Sequence, residues 1–184
     1  GRKDPFLGSS SISSSTQAKS TITWPSPVSS NSSNGTIAYA TSHPTTFIKY
    51  NSSNHDWYYT GSSSTDNTRW NSNKGTYDPC PPGYRVPDGG SNGVWSKALG
   101  SSRDFSGGPW DSTNKGMDFK TYFTSSTQCW YPASGYLYYG NGSLSNVGYY
   151  GYYWSCTPNS RNAYYLYFGR TGKVSPSSIN SRAF

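Results

Sequence analysis

None of the eight acidic residues in this chain is a glutamate; all are Asp, at positions 4, 56, 66, 78, 88, 104, 111 and 118. Ala, Leu and Lys are sparse as well, so most residues that stabilise a helix interior are missing. Ser, Thr, Tyr and Asn stand in their place, and these favour strands, turns and loops. The chain can therefore hold few helices, and those short. Its 184 residues suffice for one domain with a buried core. Hydrophobic residues are 32% of the chain and aromatics 17%, so a few large rings must fill that core in place of many aliphatics.

Punctuation divides the chain. Residues 78–90 (Asp-Pro-Cys-Pro-Pro-Gly-Tyr-Arg-Val-Pro-Asp-Gly-Gly) hold four prolines and three glycines, a run of turns that forbids helix. Just after it, Ser91 or Asn92 can cap a helix, Val94, Trp95 and Leu99 fall at helical spacing, and Gly100 can end it. Strand-like sequence begins at Met117-Asp-Phe, and short antiparallel strands between Gly-rich loops are expected from Trp130 onward.

Upstream, residues 8–35 are Ser-rich, the composition of a flexible linker. Ile22, Trp24 and Val28, with Pro25 and Pro27, interrupt that pattern, and Thr36-Ile-Ala-Tyr-Ala and Thr45-Thr-Phe-Ile-Lys-Tyr read as short strands. Residues 8–75 are thus expected to form an ordered, loop-rich insertion packed on a single domain, with Trp57-Tyr-Tyr as a further anchor.

The net charge of +7 arises from scarce acids, because the Lys and Arg residues, Arg2-Lys3 apart, are scattered singly. Without a basic cluster, nucleic acid is not an expected partner. Cys80, Cys129 and Cys156 have no CxxC spacing, which speaks against a zinc site, and no cofactor is expected. Their odd number leaves at least one thiol unpaired or paired outside the chain. No apolar run is long enough to insert in a membrane, and no signal peptide is visible. The opening Gly1-Arg-Lys without Met reads as a fragment or processed product. The low-charge, hydroxyl-rich composition fits an extracellular or cell-surface setting. His55-Asp56 could form a base and acid pair, but a solvated loop histidine is the commoner case, and Cys129 with Cys156 suits a buried thiol or disulfide better than a redox or copper pair. An enzyme is not expected.

The last third is written in tyrosine, serine, glycine and asparagine, the alphabet of binding loops. Tyrosine brings a rigid face and a hydroxyl for two torsions, and the small polar residues bring adaptable hydrogen bonds. In residues 163–168 (Ala-Tyr-Tyr-Leu-Tyr-Phe), a strand puts Tyr164, Leu166 and Phe168 on one face, assigned to the core, and Tyr165 and Tyr167 on the other. The outward pair suits either cross-strand surface packing or a ligand platform.

Five segments occur in order: residues 80–87 (Cys-Pro-Pro-Gly-Tyr-Arg-Val-Pro), the short Trp/Leu helix, 130–136 (Trp-Tyr-Pro-Ala-Ser-Gly-Tyr), 147–155 (Val-Gly-Tyr-Tyr-Gly-Tyr-Tyr-Trp-Ser) and 163–168. Together they resemble the Bacteroidetes surface "major paralogous" domain of fimbrillin-like and cell-surface proteins. That family is regarded as C-type-lectin-like and overlaps with variable proteins diversified by retroelements. The resemblance covers about residues 78–184, with Gly1 to Phe6 similar to a piece lying before a long insertion. It implies an α+β fold of short antiparallel strands, one or two short helices and long ordered loops. It also implies that an opening strand, and a closing strand whose Cys would pair with Cys80, lie outside the chain. Cys156 stands where the family has Ser or Thr.

Carried onto this sequence, the family's frame matches Gly148, Gly151, Trp154, Ala163, Leu166 and Phe168. Its variable, ligand-binding positions match Tyr149, Tyr150, Tyr152, Asn159, Ser160, Arg161, Asn162, Tyr165 and Tyr167. Arg170, Thr171, Lys173, Ser177, Ser178 and Asn180 follow in the last loop, 169–181. Calcium-dependent sugar binding is not implied, because the chain has no Glu and Thr157-Pro-Asn159 carries no carboxylate. The expected function is non-enzymatic recognition or adhesion, with an unidentified protein or glycan on a host or neighbouring cell as partner. Arg161, Arg170 and Lys173 would favour acidic or electron-rich ligands. The alternative is a structural tip or stalk subunit of a fimbria-like filament.

Overall fold

The computed structural model describes residues 25–50, 52–69, 71–100, 103–104, 109–120, 129–140 and 142–181. Expectations for residues 1–24, including Ile22 and Trp24, lie outside them. The described fold mixes many short strands with few short helices. In chain order the elements are β1 (Val28–Ser29), α1 (Ile37–Ser42), β2 (Ile48–Lys49), α2 (Val94–Leu99), β3 (Arg103–Asp104), β4 (Trp110–Asp111) and β5 (Gly116–Asp118). β6 (Trp130–Pro132), β7 (Tyr136–Leu137), β8 (Leu144–Ser145), β9 (Tyr150–Asn159), β10 (Asn162–Gly169) and β11 (Lys173–Ser181) follow.

The largest sheet is antiparallel, in the order β3-β11-β10-β9. A second antiparallel sheet runs β4-β5-β6, and β7 pairs with β8. β1 and β2, outside the span where antiparallel strands were expected, pair in parallel; the crossover between them holds α1. Strand sequence was expected for Thr36-Ile-Ala-Tyr-Ala, and here the structure differs. Thr36 Oγ1 accepts a hydrogen bond from the Tyr39 amide at 3.1 Å, capping a helix in which Tyr39 stacks on His43, centroids 4.0 Å apart. A good cap and two alanines outweigh an apolar alternation too short to pair.

α2 forms where Val94, Trp95 and Leu99 were read at helical spacing; Trp95 and Leu99 are buried but Val94 is exposed, and neither Ser91 nor Asn92 caps the helix. Gly93 does, with no side-chain hydrogen bond. A Cβ on Gly93 would lie 2.5 Å from the Asp88 carbonyl oxygen, so the helix start leaves room for hydrogen alone.

The core gathers Trp95, Leu99, Met117, Phe119, Ala133, Leu166, Phe168 and Val174, with Tyr131 and Tyr153 against it. Its rings meet edge to face, Phe119 on Phe168 at 5.6 Å and 75° and Phe119 on Tyr131 at 5.6 Å and 71°. Large rings therefore dominate, as composition requires, but Leu, Met and Val fill the gaps between them. Tyr164 departs from its expected core place. Ser155, Cys156 and Thr157 of β9 stand opposite that one residue of β10, a bulge, and its half-buried ring lies against Gly90, outside the core cluster. There its phenol oxygen accepts from Asn159 Nδ2 at 3.1 Å.

The Pro- and Gly-rich run 78–90 holds its shape through carboxylates. Asp78 accepts from the Cys80 amide (2.8 Å), the Val86 amide (3.0 Å) and Lys74 Nζ (3.1 Å). Burial works against that charge, but the two amides and the ammonium outweigh it and pull the carboxyl down to about 2. Arg85 forks onto Asp88 at 3.0 and 2.7 Å, and buried Cys156 donates to the same carboxylate at 3.3 Å, fastening the run to β9. Burial, then the Asp88 contact, pushes that thiol up to about 11. All three cysteines are free thiols.

Phe47 and Tyr50, two described residues within 8–75, touch later parts of the chain. Tyr50 meets Tyr139 at 5.5 Å, and a Cβ on Gly142 would lie 2.5 Å from Cγ of the Phe47 ring. Within that span, Arg69 bridges Asp56 (3.3 Å) and Asp66 (3.1 Å) and lies 4.7 Å over the Tyr58 ring.

Candidate functional site

Strand alternation sorts the tyrosines of β9 and β10. Inward go Gly151 and Tyr153 on β9 and Leu166 and Phe168 on β10; outward go Tyr150, Tyr152, Trp154, Tyr165 and Tyr167. Register then brings the outward set together. Tyr165 stands opposite Trp154 and Tyr167 opposite Tyr152, with ring centroids 5.2 and 5.4 Å apart. Tyr150 stacks on Tyr167 at 5.7 Å and 24°, and Tyr152 meets Tyr165 at 5.9 Å. Such pairs contribute about 0.5–1.5 kcal/mol each beyond burial, so the aromatic floor is ordered before any ligand arrives.

β11 continues this floor with small polar groups. Residues 169–181 were expected as a loop, but Lys173–Ser181 is a strand paired along β10. Its register shifts between Tyr165 and Tyr167, which face Ser178 and Ser175, and buried Pro176 falls inside the shift. A bulge is where a strand accepts proline, because no ladder hydrogen bond needs the missing N–H there. The extra residue also flips side-chain parity. Lys173 and Ser175 line the floor before it, Ser178 and Asn180 after it. Ser177, a predicted site residue, is left off the floor, and Ser175, which sequence reasoning missed, is on it.

The opposite wall is built from β7 and its turn, with Tyr136, Leu137, Tyr138 and Tyr139, and from Phe47 and Tyr50 of the insertion. Tyr136 meets Tyr152 edge-on at 5.0 Å. Between wall and floor lies an open cleft of about 1020 Å³. Trp154 is 40% exposed and forms part of it, which corrects its expected framework role. Period-two spacing of Tyr136 and Tyr138 was a signal in the sequence for this wall; Phe47 and Tyr50 had none.

The remaining predicted residues do not converge on the cleft. Asn159, Ser160, Arg161 and Asn162 form the turn between β9 and β10, where Ser160 takes φ 54°. Arg170 and Thr171 sit in the turn at the other end of β10, Arg170 lying 4.2 Å over the Tyr149 ring. At about 3.3 Å per strand residue the two turns are roughly 23 Å apart, too far for one small ligand. The predicted site thus divides into a cleft and two strand ends.

Burial, then the neighbouring Tyr167, pushes the Tyr152 phenol up to about 12, and burial likewise raises Tyr165 and Tyr167. These cleft phenols stay neutral at physiological pH and both donate and accept hydrogen bonds. Tyr153, beneath the floor, is also pushed to about 12 by burial. For both Tyr152 and Tyr153 the folded value lies above the ordinary 10.0, so the native state holds its proton longer than the unfolded chain. The stability this confers is complete below pH 10 and disappears as pH rises toward 12. Spectrophotometric titration should find a late-ionising class of phenols that moves back to ordinary values in denaturant. A single ordinary titration in the native chain would contradict this burial.

Elsewhere, Asp56 is ion-paired with Arg69, and His55 Nδ1 is buried without a hydrogen-bond partner. Among the described residues no group of three His, Cys, Asp or Glu could hold a metal ion, and no helix is long and apolar enough to cross a membrane. Comparison with protein-family models, curated proteins and solved structures finds no match to this chain.

Proposed function

We propose that this chain is a non-enzymatic ligand-recognition or adhesion domain of a bacterial or phage surface protein, working outside the cell. The observation that carries this reading is the open cleft of about 1020 Å³, floored and walled by aromatic rings of which Tyr136, Tyr138, Tyr139 and Trp154 are exposed. Soluble proteins seldom leave large aromatic patches uncovered unless something binds there. Aromatic side chains also dominate binding energy where they are held rigid, as cross-strand stacking holds them here. A C-type-lectin-like fold belongs to the same proposal, supported by the sequence resemblance and by a mixed architecture of short strands, few helices and long loops.

Binding of the whole chain to glycan and host-protein arrays tests this reading. Trp154→Ala, which removes an exposed ring without opening the core, should weaken the captured ligand at least about tenfold. Arg161→Ala, in the distant turn, should leave binding within about twofold of the parent. Equal binding by the parent and Trp154→Ala would remove the cleft from the function.

A further inference from the structure

We infer that the cleft takes an uncharged oligosaccharide, whose sugar faces stack on Trp154 and the tyrosines while its hydroxyls bond the polar strip of β11. This deepens the recognition reading above and rests on it. Three observations select the ligand class.

The first is chemical division within the cleft. One strip of the floor is aromatic, with Tyr152, Trp154, Tyr165 and Tyr167, and the adjoining strip is Ser175, Ser178 and Asn180. A pyranose has the matching division, a C–H face on one side and hydroxyls around its rim. Phenol and serine hydroxyls donate and accept alike, as sugar hydroxyls do, so the two can pair in either sense.

The second is charge. No carboxylate lines the cleft among the described residues, and Lys173 is the one cation there. Arg161 and Arg170, expected to draw an acidic ligand, sit at the two ends of β10, and Arg170 is engaged by Tyr149. A single ammonium gives a carboxylate one charged partner and not the convergent set it needs on desolvation, and no lining acid is there for an ammonium.

The third is shape. The cleft lies on the face of the β3-β11-β10-β9 sheet and not at an edge: β10 has a strand on each side, and β3 flanks β11 at Lys173 and Val174. A peptide cannot add to this face as a strand, and its amides would lie unpaired against rings. A volume of about 1020 Å³ also exceeds what one sugar needs and matches the upper end of the ~300–1000 Å³ range of small-ligand pockets.

Calorimetric titration of the whole chain tests the inference with short neutral gluco-, manno- and galacto-oligosaccharides, the same oligomers oxidised to uronates, and an aromatic-rich peptide of similar length. At least one neutral series should bind, with affinity unchanged by added salt. Oxidation should weaken it about tenfold. Trp154→Ala should weaken it about tenfold as well, and Tyr165→Phe, which keeps the ring and removes the hydroxyl, about fivefold. Tighter binding of the uronates would overturn the uncharged class. Binding of the peptide but of no saccharide, lost in Trp154→Ala, would overturn the saccharide class and leave recognition by the cleft standing. If no probe binds and the array ligands ignore Trp154→Ala, both inferences fall together.

Discussion

Phe168→Ala is expected to destabilise the fold by about 3–5 kcal/mol, out of a typical total of about 5–15. Phe168 has no exposed surface and sits where three elements meet. Phe119 meets its ring edge-on at 5.6 Å and Tyr153 lies parallel to it at 6.0 Å and 13°. Tyr153 is fixed in β9, and Phe119, just past β5, is held by its amide bond to the Cys129 carbonyl at 2.9 Å, so neither ring is free to move into the space. The cavity would stay open, and its cost adds to the lost burial. Urea unfolding should show a lower midpoint with an unchanged slope. Phe168→Leu, which refills most of the volume, should cost about 1.5 kcal/mol or less. A loss below about 1 kcal/mol for the alanine variant would mean that the sheets are not joined through this ring.

Gly151→Val should cost about 2–3 kcal/mol, although valine is among the best strand formers. Gly151 stands opposite Phe168 in the β9–β10 register, and any Cβ there would enter the Phe168 ring. The ring occupies the place a side chain would take, so glycine in this strand serves the close approach. Two neighbours, Tyr150 and Tyr152, point the other way, into the aromatic floor. Backbone displacement at Gly151 would therefore also disturb the cleft. Combining Gly151→Val with Phe168→Leu should recover part of the loss, because both act on one contact. Strict additivity of the two would show that the clash is relieved elsewhere.

Where local sequence sets the structure, reading it succeeded. The run 78–90 needs no partner to be non-helical, since its prolines and glycines dictate that alone. α2 was legible from Trp95, Leu99 and Gly100, and the strand 163–168 from its alternation. Failures came where two distant segments decide together. The loop-like composition of 169–181 hides β11, because its strand character comes from lying beside β10. Trp154 was expected as part of the family's frame, and only pairing with β10, which sets it opposite Tyr165, shows it on the cleft floor.

The candidate site divides in the same way. Sequence alone determined the chemistry available: rigid phenols, small hydroxyls, few charges and almost no helix, because those follow from residue types. Which of those residues share one surface was decided by tertiary structure. Register paired Tyr152 with Tyr167 and Tyr165 with Trp154, the bulge at Pro176 turned Ser178 and Asn180 to the same side as Ser175, and packing of the insertion added Phe47 and Tyr50. Strand side chains change face with every residue, so one inserted residue redirects all that follow. A composition carries no such count, and the cleft exists only once the strands are paired.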